Sequence, residues 1–94
     1  MFEFDPDKSM ANKAKHGIDF VKAQALWDGP MLLRLATVDY DAETRELFVG
    51  TIDGRCWTAV VTHRAGNIRI ISVRRARRSE EMAFERGSVR RDVR

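Results

Sequence analysis

Ninety-four residues with 44% hydrophobic and 33% charged side chains describe one folded domain, with no room for a second and none of the bias of a disordered chain. The formal net charge of +3 hides a division: residues 1–54 hold six Lys/Arg against ten Asp/Glu, residues 55–94 eleven Arg against four acids. A single cysteine, Cys56, excludes an internal disulfide framework and a cysteine-based zinc site, and no apolar run reaches the length of a membrane span.

The chain opens on Phe2-Glu3-Phe4, whose alternation predicts a short edge strand. Its start also lacks the basic-then-apolar layout of a signal peptide. Asp5-Pro6 then marks a helix start, because Asp5 can cap free amides and Pro6 suits a first turn that needs no donor. That helix should run through Lys15 and stop at Gly17. Asp19 caps a second helix carrying Phe20, Ala23 and Trp27 at helical spacing, ended by Gly29-Pro30.

Strands follow. Met31 to Val38 is apolar apart from Arg34 and Thr37, and Asp39 to Glu43 reads as a polar connection. Leu47 to Ile52 and Cys56 to Thr62 flank Asp53-Gly54, a favoured two-residue hairpin turn. Ile68 to Val73 follows Ala65-Gly66-Asn67, completing an antiparallel meander. Ser79 is a candidate cap for a last helix that reaches Arg86 and ends at Gly87. The expected organisation is therefore one α+β domain over residues 1–87 and a basic, flexible tail over 88–94.

The turns also set an expected register. Gly50 should face Trp57 and Leu47 face Val60; across the next turn Trp57 should face Arg74 and Val60 face Ile71. Leu47, Val49, Val60, Ile71 and Val73 then form the core face. Gly50, Trp57, Ala59, Ser72 and Arg74 form the other.

Chemistry narrows quickly. His16 and His63 are far apart and outside any metal-ligand spacing, and the glycines sit at turns and helix ends, not in a phosphate loop. The second half of the chain is basic through arginine alone, a planar fork that binds phosphate bidentately. Arg64 lies at one strand end, Arg74 and Arg75 at the next, with Arg77 and Arg78 before the last helix and Arg69 within a strand. Trp57 beside Arg74 on an exposed face would pair a stacking ring with a phosphate clamp, as readers of single-stranded RNA do; a tryptophan packed beneath a helix is the alternative. Metal-free RNA cleavage needs a base for the 2′-hydroxyl, cations for the phosphorane and a donor for the leaving oxygen. Arginine suits the second task only. Lys15, His16, Glu80 and Glu81 are the candidates for proton transfer, imidazole being the side chain that ordinarily titrates nearest neutrality.

With these residues in view, the chain resembles the BrnT family, ribonuclease toxins of type II toxin–antitoxin pairs. The resemblance rests on Phe2 to Pro6, Asn12, Lys15-His16-Gly17-Ile18-Asp19-Phe20, Gly50, Asp53-Gly54-Arg55, Thr62-His63-Arg64, Ile68 to Ala76 and Glu80. It implies a RelE-like α+β fold: an antiparallel sheet, two N-terminal helices and one C-terminal helix. It implies RNA cleavage without a cofactor, inhibition of translation in the cytoplasm, and a BrnA-type antitoxin with a ribbon–helix–helix DNA-binding end, joined in a heterotetramer. The family pattern maps onto Lys15, His16, Arg64, Arg74 and Glu80 as site residues; charge and placement, not the family pattern, make Trp57, Arg69, Arg75, Arg77 and Arg78 the expected RNA contacts. Phe84 stands where the family often has tyrosine, and Val73 where alanine is usual. Rival readings are a non-catalytic RNA- or ribosome-binding module and a degenerate toxin that only binds its antitoxin.

Overall fold

Local signals in the N-terminal third become structure almost as read. In the computed structural model, which describes the backbone of residues 1–93 and the side chains of residues 1–87, helix α1 spans Pro6–His16. The Asp5 carboxylate accepts the Asp7 N–H at 2.9 Å, and Gly17 closes the helix in the left-handed region at φ 82°. Helix α2, Phe20–Ala23, is capped by Asp19 and tightens at once into a 3-10 segment, Gln24–Asp28. Its buried side chains are Phe20, Ala23 and Leu26, a period of three that matches 3-10 winding. Trp27 is thereby turned aside, packing edge-on to Phe2 and tilted against Phe48.

Strands β1 (Phe2–Glu3), β2 (Leu33–Tyr40), β3 (Glu43–Ile52), β4 (Arg55–Arg64) and β5 (Asn67–Arg75) form one sheet in the order β1-β5-β4-β3-β2. The fold is α+β, as expected, but the sheet is mixed. The meander from β2 to β5 is antiparallel, whereas β1 lies parallel to β5, with Phe2 opposite Ile68 and Glu3 opposite Arg69. Parallel pairing follows because the whole chain between them crosses over before β5 is made. The polar connection also shrinks: Tyr40 pairs with Glu43, leaving only Asp41-Ala42 as the turn. Polar strand ends facing solvent carry no hydrophobic signature.

The register holds from β3 to β4, with Gly50 opposite Trp57 and Leu47 opposite Val60. From β4 to β5 it holds from the turn as far as Val61 and then slips by one residue. Val60 pairs with Ser72 and Val61 with Ile70, so Ile71 is an inserted bulge residue and Trp57 faces Arg75, not Arg74. The faces follow. Ile52, Trp57, Ala59, Val61, Ile70 and Val73 join Ile18, Phe20, Ala23 and Leu26 in the main core. A Cβ on Gly50 would stand 3.1 Å from Leu26 Cδ2 and from Leu32 Cδ1, so this glycine lets the 3-10 segment close onto the sheet. Of the expected core face Val73 does lie in the main core, whereas Leu47 and Val60 sit half-buried on the opposite side, where Val49 and Thr58 are fully buried.

Helix α3 spans Arg78–Val93 and contacts β2 and β3. It does not end at Gly87. That glycine lies inside the helix, where a Cβ would meet only the flexible ends of Met31 and Leu33, and it is not a terminator. The expected 88–94 tail falls within this helix as far as Val93, while its side chains and Arg94 lie outside the described residues. Among the described residues no helix is long and apolar enough to cross a membrane.

The β4–β5 turn offers a test. Ala65 adopts φ 52° ahead of Gly66 at 82°, a conformation that costs a residue with a Cβ about 1 kcal/mol. Ala65→Asn should add about 0.5–1 kcal/mol of stability, read as a higher urea midpoint, whereas Ala65→Val should lower the midpoint.

Candidate nucleic-acid interface

Arg74 and Arg75 end β5 side by side and therefore point to opposite faces of the sheet. Arg75 lies on the core side, its guanidinium carbon 5.5 Å from the centre of the Trp57 ring. Arg74 lies on the other side and donates from Nη1 and Nη2 to Glu80 Oε1 and Oε2 at 2.8 and 2.9 Å. Glu80 also accepts the Thr58 hydroxyl at 2.8 Å and the Arg77 backbone N–H at 2.7 Å. Glu80 is the third residue of α3, so the last bond caps the helix start from within, and Arg77, not Ser79, occupies the cap position. Ala76 N–H donates to the Cys56 carbonyl, pinning the short connection to the sheet.

This cluster decides what Glu80 can do. The Arg74 hydrogen bonds, with those from Arg77 and Thr58, outweigh burial and hold the carboxyl down at about 2. The same pair raises Arg74. Glu80 is 6% exposed and ionised at working pH, with no proton to exchange. It is a brace between β4, β5 and α3. Its folded pKa lies below the unfolded one, so its contribution is complete above about pH 4.5 and fades as pH falls towards 2.

The C-terminal end of α1 reaches the same end of the sheet. Buried Asn12 donates to the Ile18 and Val73 carbonyls, each at 2.8 Å, and accepts the Val73 N–H at 3.2 Å. Beyond this clip come exposed Lys15, half-buried His16 and Gly17, and Gly17 lines a cavity of about 350 Å³ with Trp57 and Arg55. The structure thus gathers Lys15, His16, Trp57, Arg74, Arg75, Arg77, Arg78 and Glu80 around one end of the sheet, where β4 starts and β5 finishes. Arg55 and Lys22 add to its positive charge.

Two expected members are elsewhere. Arg64 closes β4 at the far end, six residues beyond Thr58, the residue opposite Arg74. At ~3.3 Å per residue that is roughly 20 Å, too far for one phosphate to be held by both arginines. Arg69 shares that far end, and Glu3 lies against both, at 3.3 Å from Arg69 and 4.0 Å from Arg64. Trp57 is corrected too. At 8% exposure it belongs to the core and is no open stacking platform, and Arg74 is not beside it.

Sequence reading missed Asn12 as a clip and Thr58 as the partner of Glu80, because both join residues far apart in the chain. It also missed His63 Nδ1 at 2.9 Å from Glu46, which Arg34 holds at 3.1 Å; this group sits towards the far, β4–β5 turn end. Cys56 is a resting thiol, its pKa pushed up by burial and by Glu81 and Glu85. Among the described residues no three His, Cys, Asp or Glu side chains gather as a metal site.

Comparison with known proteins adds one match. Residues 4–80 fit the family described as ribonuclease toxin, BrnT, of type II toxin–antitoxin system. No curated protein sequence matches the chain.

Proposed function

The chain belongs to the BrnT family of ribonuclease toxins of type II toxin–antitoxin systems, and we propose that it is a metal-independent endoribonuclease working at the cationic end of the sheet. The observation that carries this reading is the convergence of the α1 terminus, the β5 end and the α3 start, each bringing cations to one rim. The 2′-oxygen of the substrate attacks the adjacent phosphorus as the bond to the 5′-oxygen breaks, leaving a 2′,3′-cyclic phosphate and a 5′-hydroxyl. His16 takes the 2′-hydroxyl proton and Lys15 supplies one to the departing oxygen. Arg75, Arg77 and Arg78 stabilise the phosphorane charge. Arg74, engaged by Glu80, fixes where that cationic edge stands, so Glu80 is a positioning residue. Arg64 and Arg69 lie outside this site.

Cleavage of cytoplasmic RNA would inhibit translation. A BrnA-type antitoxin with a ribbon–helix–helix end would cover the rim, two toxins joining a dimeric antitoxin in a heterotetramer. Helices before the β2–β5 meander and one helix after it support a RelE-like classification. Inducible expression without the antitoxin should arrest growth and fragment RNA, and co-expression should reverse both. Arrest with intact RNA would favour a non-catalytic ribosome-binding module. Normal growth would favour a degenerate toxin, for which Phe84 without a hydroxyl is the motivating residue.

A further inference from the structure

The cavity beside the rim has a chemical pattern of its own. Ile18, Ile52 and Trp57, each under a tenth exposed, form an apolar floor. Lys22, Asp53 and Arg55 form its edge. Its volume of about 350 Å³ is at the small end of ligand pockets, which run from roughly 300 to 1,000 Å³. Lys22 Nζ stands 3.2 Å from Asp53 Oδ2, and both side chains are largely solvent-exposed at 57% and 80%. A pair so exposed adds little to folding, which leaves its polar atoms available to a ligand.

We infer that this cavity is a guanine-binding subsite for the nucleotide next to the cleaved phosphodiester, with Asp53 as the residue that selects the base. The inference rests on the ribonuclease reading and deepens it. A carboxylate offers two acceptors side by side, and guanine alone presents two adjacent donors, N1–H and the 2-amino group, on its pairing edge. Adenine, cytosine and uracil each set a donor beside an acceptor there, and the acceptor would meet carboxylate lone pairs. The donor next to the carboxylate completes the match: Lys22, with Arg55 close by, suits guanine O6. The small apolar surface that Ile18, Ile52 and Trp57 leave exposed closes the cavity beneath the base. The arginines of the rim lie beside the phosphate that follows.

Asp53 is well placed for a clean test. It occupies a left-handed position, φ 52°, ahead of Gly54. Asparagine is favoured in such a turn, so Asp53→Asn keeps the hairpin while replacing one acceptor by a donor. Nucleoside 3′-monophosphates of all four bases would be titrated into the ¹⁵N-labelled protein, following the Trp57 indole N–H. The guanosine nucleotide should bind about tenfold more tightly than the others, a difference of about 1.4 kcal/mol. Asp53→Asn should reduce that preference below about threefold. Lys22→Ala, which leaves the carboxylate in place, should weaken binding but keep guanosine first. Equal affinity for all four nucleotides, no response at Trp57, or a guanosine preference that survives in Asp53→Asn would each overturn the assignment. Guanosine-selective binding by a protein that cleaves no RNA would uphold the subsite and remove the ribonuclease reading. Cleavage without nucleotide binding at this cavity would do the reverse.

Discussion

Glu80→Gln should cost about 3 kcal/mol of folding stability, the largest loss expected from any single change at the rim. The substitution keeps the volume but removes the charge that balances Arg74, and breaking one side of a buried ion pair typically costs 3–5 kcal/mol. Some of that is recovered because Arg74, with its side chain 22% exposed, retains partial hydration. In a domain of this size the loss corresponds to a fall in Tm of about 12–24 °C. The acid limb of the stability curve should change as well. The native protein loses the Glu80 contribution as pH drops from about 4.5 towards 2, whereas the variant has no carboxylate to protonate and should show a flatter limb. Parallel acid limbs in the two proteins would mean that Glu80 is not the brace described here.

The second large effect falls on activity. Arg75, Arg77 and Arg78 are exposed and leave the main core untouched, so replacing all three by alanine should change stability by no more than about 1 kcal/mol. The small loss that does occur comes from Arg75 over the Trp57 ring. RNA cleavage should fall by about 100-fold or more in kcat/KM, since a single donor to developing negative charge is commonly worth that much. The salt dependence of RNA binding should also flatten, because fewer counterions are released with fewer phosphate contacts. Arg64→Ala is the internal control. It removes one positive charge, against three in the rim variant, at the far end of the sheet and should alter kcat/KM less than about threefold.

Much of the helical layer was legible in single residues. Asp5, Pro6 and Gly17 bound α1, and Asp19 caps α2, because caps and left-handed closures depend on a few neighbouring side chains. The β3–β4 register was equally legible from Asp53-Gly54, since a two-residue turn fixes which residues face each other. The β4–β5 pair shows where this stops. Ile71 is one extra residue in β5, and nothing in its neighbours marks it. Because side chains alternate with a period of two, that single residue sets Val73, instead of Ser72 and Arg74, beside Ile70 on the face of Trp57 and Ala59, and that face becomes the core. The two-residue β1 could be read as a strand, but its parallel partner depends on the path of everything between.

The site divided along similar lines. Lys15-His16-Gly17 and the Arg74-to-Arg78 run stay close to their chain neighbours wherever the elements go, and they arrive at one rim. Arg64 was grouped with Arg74 because both are strand-end arginines of the family pattern. A hairpin brings strands together but sets the turn end of one a full strand length from the open end of the other. Glu80 was recognisable as an acid near arginines; that Thr58 and the Arg77 amide would commit it to a structural role was not, since Thr58 is 22 residues away.

The most direct test of a metal-free cationic cleavage site is RNA cleavage by the purified, antitoxin-free protein in EDTA, run beside the Arg75/Arg77/Arg78→Ala and Arg64→Ala variants. The native protein and Arg64→Ala should both cleave, leaving 2′,3′-cyclic phosphate ends, and the triple variant should fall by about 100-fold or more. Cleavage that appears only when a divalent metal is added, or that persists undiminished in the triple variant, would contradict the account.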